Sequence, residues 1–298
     1  MKIVIPTTLL ALGVLTLFSC KKDHKSPTQT DDKLYTLNFS MKPKLTTMQS
    51  KLAVNSTDTA LTKNVKYLTY LLYDSQGNLK KQVNQDSASA NFGTFTTQVP
   101  NGTYYAYFLG NSVVNGASVR LSANINDRDY RLDMFYKADT VVVNGSNVNG
   151  NVTMNRISSL LELNIEDAVP KVIADISIVD SVASGGLLLK DTTYAINNTY
   201  PKYGVQHNHA FTYAEKGTRN VKIRIAVFFP QVLHTIVLRV HEVGVPQYIG
   251  NPVIIKNVKF MANAKTILSG TVFDKVINNQ GNFHISIEPG WDTINVNR

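Results

Sequence analysis

FGTFTTQVPNGTYYAYFLGN, residues 92–111, decides the fold class. Phe92 to Val99 and Tyr104 to Leu109 are rich in aromatic and β-branched residues, and Pro100-Asn101-Gly102 between them carries turn chemistry. The segment therefore predicts a β-hairpin. Asp139 to Val143 and Val148 to Met154 flank Asn144-Gly145-Ser146-Asn147 in the same manner and predict a second one. Two hairpins imply an antiparallel sheet.

Working outward, Tyr35, Leu37, Phe39 and Met41 alternate with Thr36, Asn38 and Ser40, the period of a half-buried strand. A Thr/Ser/Lys-rich stretch reaching Thr62 reads as a loop, and Val65 to Tyr73 is a second strand closed by the turn Asp74-Ser75-Gln76-Gly77. Arg120 to Arg131 has no clear period and reads as a short helix or a loop. In the second half Leu161, Leu163 and Ile165 alternate with Glu162, Asn164 and Glu166, and Val221, Ile223, Ile225, Val227 and Phe229 alternate with Lys222, Arg224 and Ala226. Further strands are expected at Ile173 to Val179, Leu187 to Leu189, Thr235 to Val240, Val253 to Phe260, Thr266 to Phe273 and Phe283 to Ile287. Ala168 to Ala174 is the one place for a helical turn, and Pro170 limits it. With no long amphipathic helix, βαβ crossovers and a parallel sheet are not expected. The pattern predicts an all-β chain of two tandem antiparallel β-sandwiches, residues 34–155 and 156–298.

The chain begins Met1-Lys2, followed by a mainly apolar run from Ile3 to Phe18. At roughly 16 residues this is a secretory h-region, short of the ~20 apolar residues that cross a bilayer. Leu17-Phe18-Ser19-Cys20 resembles a bacterial lipobox: an apolar residue at minus three, a small one at minus one, then cysteine. Residues 1–19 then form a lipoprotein signal peptide and Cys20 is the lipidation site, its thiolate accepting the lipid before cleavage frees the α-amino group for acylation. Two or three acyl chains, each burying many methylenes at ~0.8 kcal/mol apiece, make a stable anchor. Cys20 is the sole cysteine, so no intrachain disulfide is available. Residues 20–33, with KKDHKSPTQTDDK after the cysteine, hold no large apolar side chain and read as a lipidated tether.

The formal charge of +9 invites a nucleic-acid reading, but apart from Lys21-Lys22 and Lys80-Lys81 the basic residues are scattered, with no stripe joining them to aromatics. No nucleic-acid partner is expected; Lys21, Lys22 and Lys25 suit anionic headgroups beside the anchor. Hydrophobic residues make up 43% and charged residues 17%, a balance that fits an all-β protein with a neutral, polar surface.

Candidate chemistry is sparse. His207-Asn208-His209 would present two imidazoles on one side of a strand, yet no HExxH or cysteine cluster completes a metal site. Glu162 and Glu166 stand ~13 Å apart along one strand, beyond the ~5 to 10 Å of paired glycosidase carboxylates, and read as solvent-facing charges. Asp127, Asp129 and Asp133 with Asn124 and Asn126 lack the glycine and closing glutamate of a calcium loop. No G-x-S-x-G elbow, P-loop or dinucleotide fingerprint occurs. No enzymatic activity, cofactor or metal is expected. Tyr67, Tyr70, Tyr73, Tyr104, Tyr105 and Tyr107 either fill the core or line a sugar-binding face, and Trp291 reads as a core plug.

Several of these pieces together resemble the fimbrillin family of Bacteroidetes-type surface lipoproteins, particularly its FimB-type anchoring and accessory subunits. They are the Cys20 lipobox, the 92–111 strand pair with its P-x-G-x-Y turn and closing Asn111, DMFYKADTVVV leading to NVTMNRISSLLELNI, NVKFMANAKTILSGTVF, and HISIEPGWDTINV. The resemblance implies two transthyretin-like β-sandwiches and a fimbrial anchor or accessory subunit that binds other subunits by β-strand donation. It also implies an outer-membrane, lipid-anchored, cell-surface location. With no arginine between Cys20 and Arg120, where shaft subunits of the family are trimmed, the chain looks more like an anchor or accessory subunit. The alternative reading is a cell-surface lipoprotein that binds glycan.

Overall fold

Alternation decides which way each strand faces. Tyr35, Leu37, Phe39 and Met41 of β1 (Tyr35–Lys44) point into the protein while Asn38, Ser40 and Lys42 are exposed. In the computed structural model, which describes residues 33–44, 61–112, 133–181, 184–188, 193–196, 205–227, 233–278 and 283–290, the chain is all-β. Cys20, the signal segment, the tether up to residue 32, the 120–131 stretch and Trp291 lie outside these residues.

After β1 the N-terminal half holds a single helical turn α1 (Leu61–Asn64), then β2 (Tyr67–Asp74), β3 (Leu79–Asp86), β4 (Thr94–Val99), β5 (Gly102–Asn111), β6 (Met134–Val143) and β7 (Val148–Arg156). The C-terminal half holds β8 (Ser159–Ile165), β9 (Ile173–Asp180), β10 (Ser184–Leu188), β11 (Thr193–Ile196), β12 (Val205–Ala210), β13 (Val221–Val227), β14 (Leu233–Glu242), β15 (Tyr248–Lys259) and β16 (Ala264–Gly270). A short α2 (Phe273–Asn278) and β17 (Phe283–Pro289) follow. The Asp167 carboxylate accepts bonds from the Val272, Phe273 and Asp274 amides at 2.6–2.9 Å, which caps α2. Phe273 is thus helical rather than the end of a strand, and Ala168 to Ala174 forms no helix; Val169 instead bridges Lys216.

Two hydrophobic cores result. In the first, Phe39, Tyr70, Phe95 and Phe108 meet with ring centroids 5.2–5.9 Å apart, drawn from β1 and β4 on one layer and β2 and β5 on the other. Burying each such side chain stabilises the fold by roughly 1.5–3 kcal/mol. The Tyr70 hydroxyl has no partner, and burial pushes its phenol pKa up. The second core is mainly aliphatic, with Leu161, Leu163, Ile176, Ile178, Ile223 and Leu238 at its centre.

Neither predicted hairpin forms as one. β4 pairs with β1, whereas β5 pairs with β2 and β6, so Pro100-Asn101-Gly102 carries the chain from one layer to the other. The cause lies in burial: from Ala106 to Asn111 both faces of β5 are buried, which places it inside a sheet, while β4 has one buried face and suits an edge. Turn chemistry specifies that the chain reverses, not the layer it lands in. β6 and β7 likewise pair only at Phe135↔Arg156 and Tyr136↔Asn155 and splay apart toward their turn. The two arches pack together where the Gly145 amide donates to Asn101 Oδ1 at 2.7 Å.

A true hairpin joins β2 to β3. Its turn is closed by Asp74, which accepts from the Gln76 and Asn78 amides and the Asn78 side chain and pairs with Lys80 at 3.0 Å. Desolvation alone would raise the Asp74 pKa; the Asn78 bonds and Lys80 outweigh it and hold the carboxyl at about 2. β3 escapes the periodicity because it is a largely polar edge, with Lys80, Lys81, Gln82 and Asn84 exposed.

The two halves share one plan. In the first, β4 and β7 flank β1, opposite a layer ordered β3-β2-β5-β6; in the second, β13 and β16 flank β8, opposite β12-β9-β14-β15. β1 runs parallel to β7 and β8 parallel to β16, while every other strand pairing is antiparallel. The parallel pairs need no helical crossover, because the chain returns through the opposite layer between them. The second half adds the separate β10–β11 pair, and the halves also differ along the outer edge of the parallel pair. β17 lies antiparallel along the whole of β16, whereas among the described residues the corresponding edge of β7 is paired only at Asn155 and Arg156, by β6.

Candidate functional site

β7 positions the site. Its Val152 and Met154 are buried, its Asn149, Asn151, Thr153 and Asn155 are exposed, and one side of its backbone is bonded to β1 from Leu37↔Val148 to Lys44↔Asn155. Gly150 allows β1 and β7 to approach, since a Cβ there would meet the Phe39 ring at 2.9 Å. On the other side β6 engages only residues 155 and 156, leaving Val148 to Met154 without a ladder partner among the described residues.

This edge lacks the devices that usually blunt one. Val148 to Met154 contains no charge and no proline. The exposed edge of β3 carries Lys80 and Lys81, β13 carries Lys222 and Arg224, and β15 is broken by register shifts with Gly250 and Asn257 at positive φ. Across the flank, β6 holds the Lys137–Asp139 ion pair at 2.9 Å, half exposed, on the strand face it shares with buried Phe135 and Val141. The side chains below are closed over, with Val141 at 6% and Val152 at 2% exposure. Among the described residues the feature is an unpaired backbone edge, not an open apolar trough.

The lower end of the flank is locked. Arg156 and Asp133 form a bidentate ion pair at 2.9 and 3.0 Å, with side chains 1% and 2% exposed. Ser158 Oγ donates to Asp133 Oδ1 and accepts from the Met134 amide, Arg156 Nη1 donates to Asn263 Oδ1 at 3.3 Å, and the guanidinium sits 5.1 Å from the Phe135 ring centre. This cluster ties the start of β6 and the end of β7 to the β15–β16 turn. Sequence reading missed it. Arg156 sits as a lone charge in an otherwise neutral run, and nothing near Asn263 signals its partner 107 residues away.

Other predicted residues serve structure. Glu162 is buried rather than solvent-facing, 2.7 Å from Arg224 Nε and 3.8 Å from Lys222 Nζ, because β8 lies between β13 and β16. His207 and His209 do share one side of β12, opposite Ile178 and Ile176. His209 Nε2 lies 3.1 Å from Glu215 Oε1. Burial would raise the Glu215 pKa, but bonds from Thr212 and the nearby His209 lower it overall. His234 is buried 2.8 Å from Asp180, and His241 lies 2.8 Å from Asp175. Among the described residues no group of three or more His, Cys, Asp or Glu could hold a metal, and no helix is long and apolar enough to cross a membrane.

The tyrosines divide. Tyr70 and Tyr104 are in the core; Tyr67, Tyr73, Tyr105 and Tyr107 share the opposite face of the β2–β5 pair, where Tyr107 is 8% and Tyr105 37% exposed.

No family model matches the chain, and no curated protein matches it. Solved structures do. The fimbrial anchor protein Mfa2 from Porphyromonas gingivalis is 10% identical over 88% of this chain and 99% of its own, with a TM-score of 0.48. The tip fimbrial protein Mfa3 from the same organism, in a C-terminally truncated form, is 12% identical over 86% and 100%, with a TM-score of 0.44. A fimbrial assembly protein from Parabacteroides distasonis is 9% identical over 86% and 98%, with a TM-score of 0.40. It is to fimbrial proteins such as these that the chain is similar in structure.

Proposed function

We propose that this protein is a surface lipoprotein, held in the outer membrane by acyl chains on Cys20, that serves as an anchor or accessory subunit of a fimbria and takes up an extended strand from another subunit along β7. Residues 20–33 are the tether, and residues 34–155 and 156–298 are two β-sandwich domains, a division supported by the separate cores. The observation that carries the reading is the inequality of the halves. β16 has β17 along its outer edge, whereas among the described residues the uncharged backbone of β7 from Val148 to Met154 has no ladder partner at the matching place. A strand added there would gain main-chain hydrogen bonds without needing a catalytic or metal-binding side chain.

Amide hydrogen exchange tests this. In the isolated protein the β7 amides turned away from β1 are expected to exchange early, while those of β16, flanked by β8 and β17, stay protected. Adding purified fimbrial subunits is expected to slow the β7 amides selectively. Equal protection of β7 and β16 in the isolated protein would mean the edge is already covered, and the reading would fail.

A further inference from the structure

The outer face of the β12-β9-β14-β15 sheet carries a side-chain network outside the β7 site. Tyr248, at the start of β15, stacks on His241 of β14 with ring centroids 4.1 Å apart and planes 20° from parallel. His241 is fixed from its other side by Asp175 of β9 at 2.8 Å. The Arg239 guanidinium lies 5.2 Å from the Tyr248 ring centre. From β12, Gln206 Nε2 donates to the Tyr248 hydroxyl at 3.2 Å and to Asn208 Oδ1 at 2.9 Å. All four strands thus contribute to one patch, in which Gln206, Asn208, Arg239 and Tyr248 are all exposed.

Two details bear on what the patch would hold. Arg239 is exposed and pairs with no carboxylate among the described residues, although His241 beside it is already matched by Asp175. Ser177 stands opposite both Asn208 and Arg239 in the register, on their face of the sheet. It is fully buried, yet its hydroxyl has no hydrogen-bond partner.

We infer that this face binds a carboxylate-bearing saccharide, with Arg239 holding the carboxylate, Tyr248 contacting the apolar face of a sugar ring, and Gln206 and Asn208 bonding its hydroxyls. A planar guanidinium matches a carboxylate with two parallel bonds. An aromatic ring with a polar tip presents the mixed apolar and hydrogen-bonding surface that a pyranose offers in return. A nucleic acid would need more cations than this single unpaired arginine supplies.

The test uses the full mature chain against immobilised oligosaccharides of galacturonic, glucuronic and sialic acids, their carboxyl-reduced counterparts, and a polyaspartate peptide. At least one acidic saccharide is expected to bind tenfold or more tighter than its reduced form, and the peptide not to bind. Arg239→Gln is expected to abolish that preference, and Tyr248→Ala to weaken acidic and reduced forms alike; unchanged circular dichroism would establish that both variants fold. Equal binding of acidic and reduced forms, binding unaffected by Arg239→Gln, preference for the peptide, or no binding to any saccharide would each overturn the inference. The inference does not depend on strand uptake at β7, which lies in the other half of the protein.

Discussion

Cys20→Ser is expected to abolish incorporation of radiolabelled palmitate and to remove the protein from the outer-membrane fraction, leaving it either released or held only by an uncleaved signal segment. Serine cannot form the thioether to the lipid, so the signal is either left uncleaved or removed without acylation. The anchoring energy of two or three acyl chains, at ~0.8 kcal/mol per buried methylene, disappears in one step. The basic residues Lys21, Lys22 and Lys25 contribute only about 1 kcal/mol each at an anionic surface. If the protein is an anchor, fimbriae should be shed from cells that carry only the Cys20→Ser form; palmitate incorporation into the Cys20→Ser protein at the wild-type level would contradict lipidation at this residue.

Arg156→Met is expected to destabilise the fold by about 3–5 kcal/mol, read as a lower midpoint of denaturant unfolding. The guanidinium is 1% exposed and its bidentate partner Asp133 is 2% exposed, so the substitution leaves a carboxylate buried without its counter-charge. Ser158 still bonds to Asp133, but one hydroxyl does not replace the guanidinium's charge and its Nη2 bond. The double variant Arg156→Met/Asp133→Leu removes both charges and is expected to recover most of the loss. A small effect of Arg156→Met alone, below ~1 kcal/mol, would mean the pair is not closed to water in solution.

The fold class was legible because burial of one face per strand writes a period of two into the chain, as in β1 and β13. Topology was not. The Pro100-Asn101-Gly102 turn reads as a hairpin tip, yet it links two layers, since turn residues encode local backbone geometry and the choice of neighbour rests on burial over the whole strand. β3 was invisible because a lysine-bearing edge strand has no alternating apolar face. The same limit hid the candidate site. The β7 edge is defined by the lack of a neighbour among the described residues, and the shared plan that reveals it is a property of strand order, not of residues. Glu162 was misread as solvent-facing because alternation assigns it a side but says nothing of the Arg224 that covers it.

The claim that a partner strand runs along β7 is tested most directly by site-specific capture on fimbriated cells. Asn151, exposed on β7, and Thr96, exposed on the edge strand β4 of the same sheet, are each replaced by cysteine and labelled with a thiol-linked photocrosslinker. Illumination is expected to join a fimbrial subunit to the Asn151→Cys protein and not to the Thr96→Cys protein. Capture at Thr96 alone, or at neither position while the cells remain fimbriated, would contradict strand uptake at β7.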